Sequence, residues 1–345
     1  MKAATIEIGL RMAWHVWKKQ WLERDLFPIV TMLEPLEACN LACKGCGRIR
    51  EYHDSVILKK KMVSVEKCLE VTMEAGSPVV SIAGGEPLMH PQIDQIVEGI
   101  IAQKRFVFLC TNGLLMEGAM KKIKPSRHFC WVVHLDGTAE VHDYWVDRKG
   151  TWEKAMKAIT HALEEGYRVC TNTTIFKDCD VEDLHRLFEN LMELGVEGLM
   201  ISSGYPYQSL PDQDVFLERE LSTQTFHKVL STDRKFRYYN NPLYLEFLKG
   251  NREYPCRAWA SPTYTPEGWR KPCYLIADEH THSLDELLDA SLWEHYGAGK
   301  DSRCASCTMH SGYEPGIVRE MFCSPKEFGA LIALSLKNGR NGKHK

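Results

Sequence analysis

Short apolar runs alternate along the chain with segments that have the 3.6-residue period of amphipathic helices. The runs rich in β-branched and aromatic residues predict six strands, at 29–35, 79–83, 106–111, 129–135, 168–175 and 198–203. Runs that are apolar throughout are typical of parallel strands covered on both faces. The alternation predicts right-handed βαβ units of an α/β fold, either an open doubly wound sheet or a partial (β/α)6 TIM-like barrel. In both, ligands bind at the carboxyl ends of the strands.

The alternation of strand-like and helix-like segments divides the chain into three parts. Residues 1–25 predict an N-terminal amphipathic helix, residues 26–225 the barrel, and residues 226–345 a C-terminal cysteine-rich extension. The extension is expected to be rich in loops and to end in a helix. That helix has Ser324 as its N-cap, Pro325 at its first position and Glu327 completing a capping box.

Length, charge and composition argue against two functional classes, nucleic-acid-binding and membrane-spanning proteins. With 345 residues and a net charge of −3, the chain can bury a large core and gives no electrostatic reason to expect nucleic-acid binding. We find no apolar run long enough to cross a membrane and expect no signal peptide, which together predict a cytoplasmic protein. The 13 cysteines are therefore expected to bind metal or to be buried, because disulfides are rare in a reducing compartment.

Three cysteines follow the first predicted strand, in the order Cys39, Cys43 and Cys46. Their thiolates can bind three irons of a 4Fe–4S cluster, which normally takes four cysteines. The fourth iron would then be open to a cofactor or substrate. A zinc site is the alternative, with His53 as the fourth ligand.

This CX3CX2C spacing resembles the cluster motif of the radical S-adenosylmethionine (SAM) superfamily. The sequence Gly84-Gly85-Glu86-Pro87 after the second strand resembles the superfamily's GGEP motif. The resemblance implies a partial barrel in which the open iron chelates the methionine end of SAM. It also implies that the GGEP segment binds the methionine amino group. One electron from the cluster then cleaves SAM to a 5′-deoxyadenosyl radical.

Further polar residues stand where the other strands end. Asp136 resembles the superfamily's contact to the ribose, although a turn aspartate is the simpler interpretation. The remaining candidates for contacts to cofactor or substrate are Thr111, Asn112, His134, Asn172, Thr174, Ser202 and Ser203. They are expected to surround the mouth of the barrel, which is the end where its parallel strands have their carboxyl ends.

A second set of cysteines lies in the extension: Cys256, Cys273, Cys304 and Cys307. The spacing CX11GX4C between the first two resembles the start of SPASM and twitch extensions, which hold auxiliary iron–sulfur clusters. A second 4Fe–4S cluster, a structural zinc and unligated cysteines all remain open. The full seven-cysteine SPASM pattern is absent, since position 313 is a tyrosine.

Longer segments resemble one family within the superfamily, the hopanoid-biosynthesis adenosylhopane synthases (adenosyl hopene transferases). The segments are MLEPLEACNLACKGCG, VVSIAGGEPLMH, FVFLCTN, VHLDGTAEVHD, SSGYPYQSLPDQDVFL and CASCTMHSGYEP, spread over about 25–320. The resemblance implies that the adenosyl radical adds to the exocyclic alkene of diploptene, a hopene-type triterpene lipid. SAM is then a co-substrate, and a flavodoxin or ferredoxin is the expected reductant.

The tertiary radical left by such an addition needs a hydrogen donor. Cys110 ends the third strand and is a candidate, with burial as a small hydrophobe as the alternative. Tyr205 and Tyr207 are rival donors. Tryptophans and basic groups in the N-terminal helix suggest peripheral contact with the inner membrane face. Two other functions stay open, a radical SAM peptide maturase with an auxiliary cluster and a non-enzymatic metal-binding protein.

Overall fold

A computed structural model describes residues 3–22, 24–48 and 61–340. In this part of the chain, nine strands form one sheet in the order β6-β5-β4-β3-β2-β1-β7-β8-β9. The strands are β1 Val30–Leu33, β2 Val79–Ile82, β3 Phe106–Thr111, β4 Phe129–His134, β5 Arg168–Ile175, β6 Gly198–Ser203, β7 Thr263–Thr265, β8 Gly268–Pro272 and β9 Ala277–Thr281. The helices are α1 Ala3–Trp21, α2 Val65–Ala75, α3 Ile93–Ala102, α4 Met116–Met120, α5 Ala139–Trp145, α6 Thr151–Glu164, α7 Val181–Leu194, α8 Arg219–Leu230, α9 Pro242–Leu248, α10 Leu284–Leu287, α11 His310–Cys323 and α12 Pro325–Arg340.

The six predicted strands are confirmed as β1–β6, which pair in parallel in chain order. Helices connect these strands, as in the predicted partial (β/α)6 barrel. Their ends carry local signals that the sequence displays. Ser64 caps the start of α2 by accepting a hydrogen bond from the Lys67 amide, and Gly195 ends α7 in the left-handed conformation.

Alternation along the strands separates the inside of the barrel from its helix-covered outside. On β3, Val107 and Leu109 join the large core shared with the helices, whereas Phe106 and Phe108 pack in a smaller apolar cluster. That smaller cluster takes in inward-facing residues of β2, β3, β4 and β5. Cys110 continues the same face of β3 and packs against it. The barrel interior is therefore apolar below the mouth.

The C-terminal extension continues the sheet, which the sequence pattern did not predict. β7 pairs in parallel with β1, and β8 and β9 follow as antiparallel neighbours. The expectation of an extension rich in loops is also wrong in part, because His310–Cys323 form helix α11. Pro315 and Gly316 within that helix are residues that usually interrupt helices, so the local pattern concealed it.

α12 begins at Pro325, as predicted, and α1 lies within the predicted range 1–25. Glu327 donates its amide to the Ser324 hydroxyl, but its carboxylate binds Arg252 and Tyr254 instead of completing the capping box. α1 lies across the N-terminal end of the barrel, opposite the predicted mouth. Among the described helices, none is both long and apolar enough to cross a membrane.

Candidate functional site

The first cysteine loop leaves β1 at the carboxyl end of the sheet and lies against the turn that follows β2. The amide of Glu86 donates to the Ala38 carbonyl, at an N···O distance of 2.8 Å. A Cβ atom on Gly85 would lie 2.0 Å from that same carbonyl oxygen and 3.2 Å from the Cys39 nitrogen. Only glycine permits this approach, so the GGEP turn and the cysteine loop form one site.

Cys39, Cys43 and Cys46 all lie on this loop and are partly exposed. Burial raises the pKa of Cys39 to about 12 and that of Cys43 well above its usual range, with further contributions from the neighbouring cysteines. The three thiols are therefore close to one another, and metal binding would have to displace their protons. His53, the fourth ligand of the zinc alternative, lies outside the described residues.

Three thiols on one short loop are the donor set of the predicted cluster. Within the described ranges, no three His, Cys, Asp or Glu side chains converge closely enough to hold one metal ion. A 4Fe–4S cluster binds each cysteine through a different iron, so its ligands do not meet at a point. Three neighbouring cysteines on one exposed loop fit such a cluster, which would leave one iron for another ligand.

Glu86 is buried at the base of the GGEP turn. Its Oε1 accepts hydrogen bonds from the Thr111 hydroxyl at 2.8 Å and the Leu88 amide at 3.1 Å, and its Oε2 accepts from the Asn112 amide at 2.9 Å. Burial raises the pKa of Glu86 to about 7. The Asn112 side chain in turn donates to Asn40 in the cysteine loop, at 2.7 Å. Glu86 thus links the end of β3 to the GGEP turn. An amino group bound by Glu86 would share the carboxylate oxygens with these three hydrogen-bond donors.

Asp136 is buried just beyond β4 and also has two partners. Its Oδ2 lies 2.8 Å from Nε2 of His134, and its Oδ1 accepts from the Thr174 amide at 2.8 Å. Burial lowers the pKa of His134, but the Asp136 charge and the hydrogen bonds with Asp136 and the Asn172 backbone together outweigh burial, so the net shift is upward. A ribose hydroxyl bound by Asp136 would have to share the carboxylate with His134. Asn172 lies opposite His134 in the β4–β5 register.

β6 carries the remaining predicted residues toward the extension. Ser202 is buried, and the hydroxyl of Ser203 lies 2.7 Å from that of Thr308. Tyr205 donates from its hydroxyl to the Arg303 carbonyl at 3.3 Å, beside the second cysteine set. Tyr207 lies against the first cysteine loop, because a Cβ on Gly47 would fall 2.1 Å from its ring. The two tyrosine rings touch edge to face, with centroids 5.0 Å apart.

The second cysteine set is gathered around one cavity. Cys256, Cys273, Cys304 and Cys307 line it together with Tyr205 and Tyr274. Burial raises the pKa of Cys256, and the neighbouring Cys307 and Cys273 raise it further. The fold thus brings together four thiols that are separated by up to about fifty residues in the chain. Their chemistry fits a second iron–sulfur cluster.

A buried charged cluster that the sequence pattern did not single out connects the two cysteine sets. Arg48, two residues after Cys46, binds Glu34, and its guanidinium donates to the Tyr274 carbonyl next to Cys273. Arg48 also lies over the Tyr274 ring, 4.6 Å from its centroid. No local signal distinguishes this arginine, because its partner in the extension is more than two hundred residues away.

Comparison with known proteins agrees with this geometry. Residues 33–191 match the model of the Radical SAM superfamily, and residues 199–331 match a domain of unknown function, DUF3463. The chain is 24% identical over 287 residues to GTP 3′,8-cyclase of Clostridium perfringens, covering 75% of this chain and 87% of the cyclase. It is 25% identical over 289 residues to the subtilosin biosynthesis protein AlbA of Bacillus subtilis, covering 79% of this chain and 61% of AlbA.

Among solved structures, SAM-bound SuiB of Streptococcus suis aligns with a TM-score of 0.64 at 16% identity, covering 89% of this chain and 77% of SuiB. That likeness confirms the fold. The match of residues 33–191 supports the radical SAM prediction, and with it a 4Fe–4S cluster and SAM as the cofactors of this superfamily. These relatives support the superfamily and not the finer resemblance to adenosylhopane synthases.

Proposed function

We propose that this member of the radical S-adenosylmethionine superfamily generates a 5′-deoxyadenosyl radical at the carboxyl-end mouth of its barrel and adds it to an alkene of an apolar lipid. The main observation that supports a radical site at this position is the close approach of Gly85 to Ala38 and Cys39. It brings the GGEP turn against the cysteine loop, so SAM held by one would reach the iron left open by the other. The bound cluster would supply the electron that splits SAM.

The adenosylating step is supported by the resemblance to adenosylhopane synthases, which includes segments from both matched domains. Diploptene is accordingly the proposed lipid. The new bond joins C5′ to the terminal methylene carbon and leaves an unpaired electron on the more substituted carbon. Each product then consumes two electrons and one proton, one electron to split SAM and one, with the proton, to quench the substrate radical. The reductant, a flavodoxin or ferredoxin, would deliver both electrons.

Cys110 is the proposed donor that quenches that radical. Its thiol lies on the interior face of β3, 3.8 Å from the Ser81 hydroxyl, at the top of the apolar cluster. Burial raises its pKa to about 11, so the sulfur keeps its hydrogen at neutral pH. A protonated thiol can give a hydrogen atom to a carbon radical. The thiyl left on Cys110 would then take up the second electron and the proton.

Peptide maturation is a second candidate, and the comparisons favour it over lipid adenosylation. AlbA is a bacteriocin biosynthesis protein, and SuiB has been crystallised with the precursor peptide SuiA. Abstraction of hydrogen followed by bond formation within a peptide removes two electrons from the substrate. An electron acceptor is then needed, and a cluster bound by Cys256, Cys273, Cys304 and Cys307 would serve.

One incubation separates these functions. The anaerobically reconstituted chain is mixed with SAM, dithionite and diploptene, and the products are analysed by mass spectrometry. Lipid adenosylation predicts an adenosyl adduct of the lipid, with methionine in equal amount. Free 5′-deoxyadenosine without an adduct would refute lipid adenosylation and leave the maturase candidate. No SAM cleavage at all would instead support a non-enzymatic metal-binding protein.

A further inference from the structure

One face of α1 is fixed to the N-terminal end of the barrel. Thr5 donates to Glu197 at 3.0 Å, Glu7 pairs with Arg127 at 2.7 Å, and His15 lies 2.8 Å from the Pro28 carbonyl. These three contacts reach segments that immediately precede β6, β4 and β1. The inward side chains, including Ile8 and Val16, are buried. The helix therefore closes the end of the barrel opposite the radical site.

The outward face of α1 is a continuous apolar stripe. It consists of Ile6, Leu10, Trp14, Trp17 and Trp21, spaced four, four, three and four residues apart as on one face of a helix. Trp21 is 85% exposed, Trp14 68% and Leu10 67%. A contiguous exposed apolar surface on a folded protein marks a contact with another apolar phase or molecule.

α12 adds a second stripe beside the first. Phe328, Ile332 and Leu336 recur every fourth residue and are all exposed. The indole of Trp17 donates to the Phe322 carbonyl at 3.2 Å, three residues before α12 begins. The amide of Gln20 contacts Cys323 in the same segment. The end of the α1 stripe thus adjoins the start of the α12 stripe.

Basic side chains surround the tryptophan end of this surface. Between residues 5 and 25 the sequence holds Arg11, Lys18, Lys19 and Arg24 against Glu7, Glu23 and Asp25, an excess of one positive charge. Glu7 is already paired with Arg11 and Arg127. Burial lowers the pKa of Lys19, and the nearby Arg24 and Lys18 lower it further, so these three cations are clustered. A negatively charged partner would be attracted to them.

The composition and size of the surface identify the partner. Tryptophan with lysine and arginine at its edge is typical of helices that lie in the interface of a bilayer. The faces of the two helices, of 19 and 16 residues, together offer roughly 550 Å², below the roughly 800 Å² per partner of a stable protein interface. We propose that the α1 stripe, together with the exposed face of α12, docks this protein on the surface of an anionic lipid bilayer.

Docking of this kind leaves the carboxyl-end mouth on the side away from the bilayer. SAM and a soluble reductant could reach the mouth there without displacing the lipid contact. The proposal rests on the two exposed helix faces alone and holds for either candidate substrate. Its test therefore needs no turnover.

The test is co-sedimentation of the full, reconstituted chain with lipid vesicles. We expect binding to vesicles of mixed phosphatidylcholine and phosphatidylglycerol, weaker binding to phosphatidylcholine alone, and a shift of tryptophan fluorescence to shorter wavelength on binding. The double variant Trp14→Ser/Trp21→Ser spares the Trp17 hydrogen bond and should lower the partition coefficient at least about tenfold. The control Met73→Ser/Leu115→Ser removes exposed apolar side chains elsewhere and should bind like the unaltered chain.

Three results would overturn the proposal. The first is that the unaltered chain stays in the supernatant with both vesicle types. The second is equal binding of the tryptophan variant, provided that circular dichroism shows it folded. The third is a dimer in light scattering that the tryptophan variant loses, because the stripe would then bind a second copy of the chain.

Discussion

Arg48 and Glu34 form an ion pair at 3.1 Å, between Nε and Oε1, with side chains only 2% and 1% exposed. Glu34 follows β1, and Arg48 follows the last cysteine of the first loop. Glu34 also lies 3.7 Å from Arg270 on β8, and Arg48 donates to the Tyr274 carbonyl. The pair therefore joins the first cysteine loop, the barrel and the strand that leads to the second cysteine set.

Breaking this pair should destabilise both cysteine sites. Arg48→Gln leaves Glu34 buried with a more distant cation, and removal of one partner of a buried pair typically costs about 3–5 kcal/mol. We expect lower urea stability and reduced iron content after reconstitution. The surface pair Lys67–Glu70 provides the control, since Lys67→Gln should cost less than about 0.5 kcal/mol. Unchanged iron content in Arg48→Gln would contradict a connecting role.

Substitution of Gly85 should strongly slow SAM cleavage. In Gly85→Ala the added methyl would lie 2.0 Å from a backbone carbonyl, so the cysteine loop or the GGEP turn must move. We expect the rate of SAM cleavage to fall by at least about a hundredfold, because misplacement by about 1 Å has such effects on positioned reactants. The matched control is Gly118→Ala, where nothing lies within 4 Å of the new methyl. Normal cleavage by Gly85→Ala would show that the two segments are not one site.

Cys110→Ala tests the hydrogen donor within the lipid-adenosylation proposal. Without the thiol, we expect the saturated adenosyl product to fall at least about tenfold while SAM cleavage continues, because loss of a positioned proton or hydrogen donor has effects of this size. Cys130→Ala is the matched control, since Cys130 is buried in the same interior cluster on the next strand. An unchanged product yield from Cys110→Ala would assign the donor elsewhere, with Tyr205 or Tyr207 next to be tested.

Iron analysis tests the second cysteine set. If it holds a 4Fe–4S cluster, the reconstituted chain should contain about eight irons, and Cys273→Ser should retain about four, because one cluster loses a ligand. Cys179→Ser replaces a cysteine that does not line the cavity and should keep the full iron content. A count near four in the unaltered chain would exclude the auxiliary cluster, and zinc in place of iron would support the structural-zinc alternative.

Glu314 should make stability depend on pH. Its carboxylate accepts hydrogen bonds from Asn240 and Asn241, and burial raises its pKa from 4.5 to about 7. The folded state therefore binds more protons than the unfolded state between these values, so stability falls as pH rises through this window and stays lower above it. Urea unfolding of Glu314→Gln should show a weaker dependence, because the Glu314 share of at most about 3 kcal/mol is lost while Glu86, whose pKa is also raised to about 7, still contributes. The exposed control Glu193→Gln should follow the unaltered chain, and identical curves for all three would remove Glu314 as the cause.

Local pattern alone determined the parallel part of the fold and the first cysteine site. Strands β1–β6 were predictable because each is a short apolar run followed by a helix with its own start and stop signals. The loop with Cys39, Cys43 and Cys46, and the GGEP turn, were predictable because their chemistry lies in a few consecutive residues. Their proximity followed from the rule that parallel strands end at one edge.

The features that depend on contacts between distant segments were visible only in the tertiary structure. The parallel pairing of β7 with β1 and the formation of α11 gathered the second cysteine set, and neither leaves a periodic signal in the sequence. The Glu34–Arg48 pair leaves no periodic signal in the sequence either. The sequence predicted an amphipathic α1, but its packing decided which face is buried and placed the helix at the end of the barrel away from the radical site. Periodicity reports that a helix has an apolar face, whereas the partner of that face is set by contacts far along the chain.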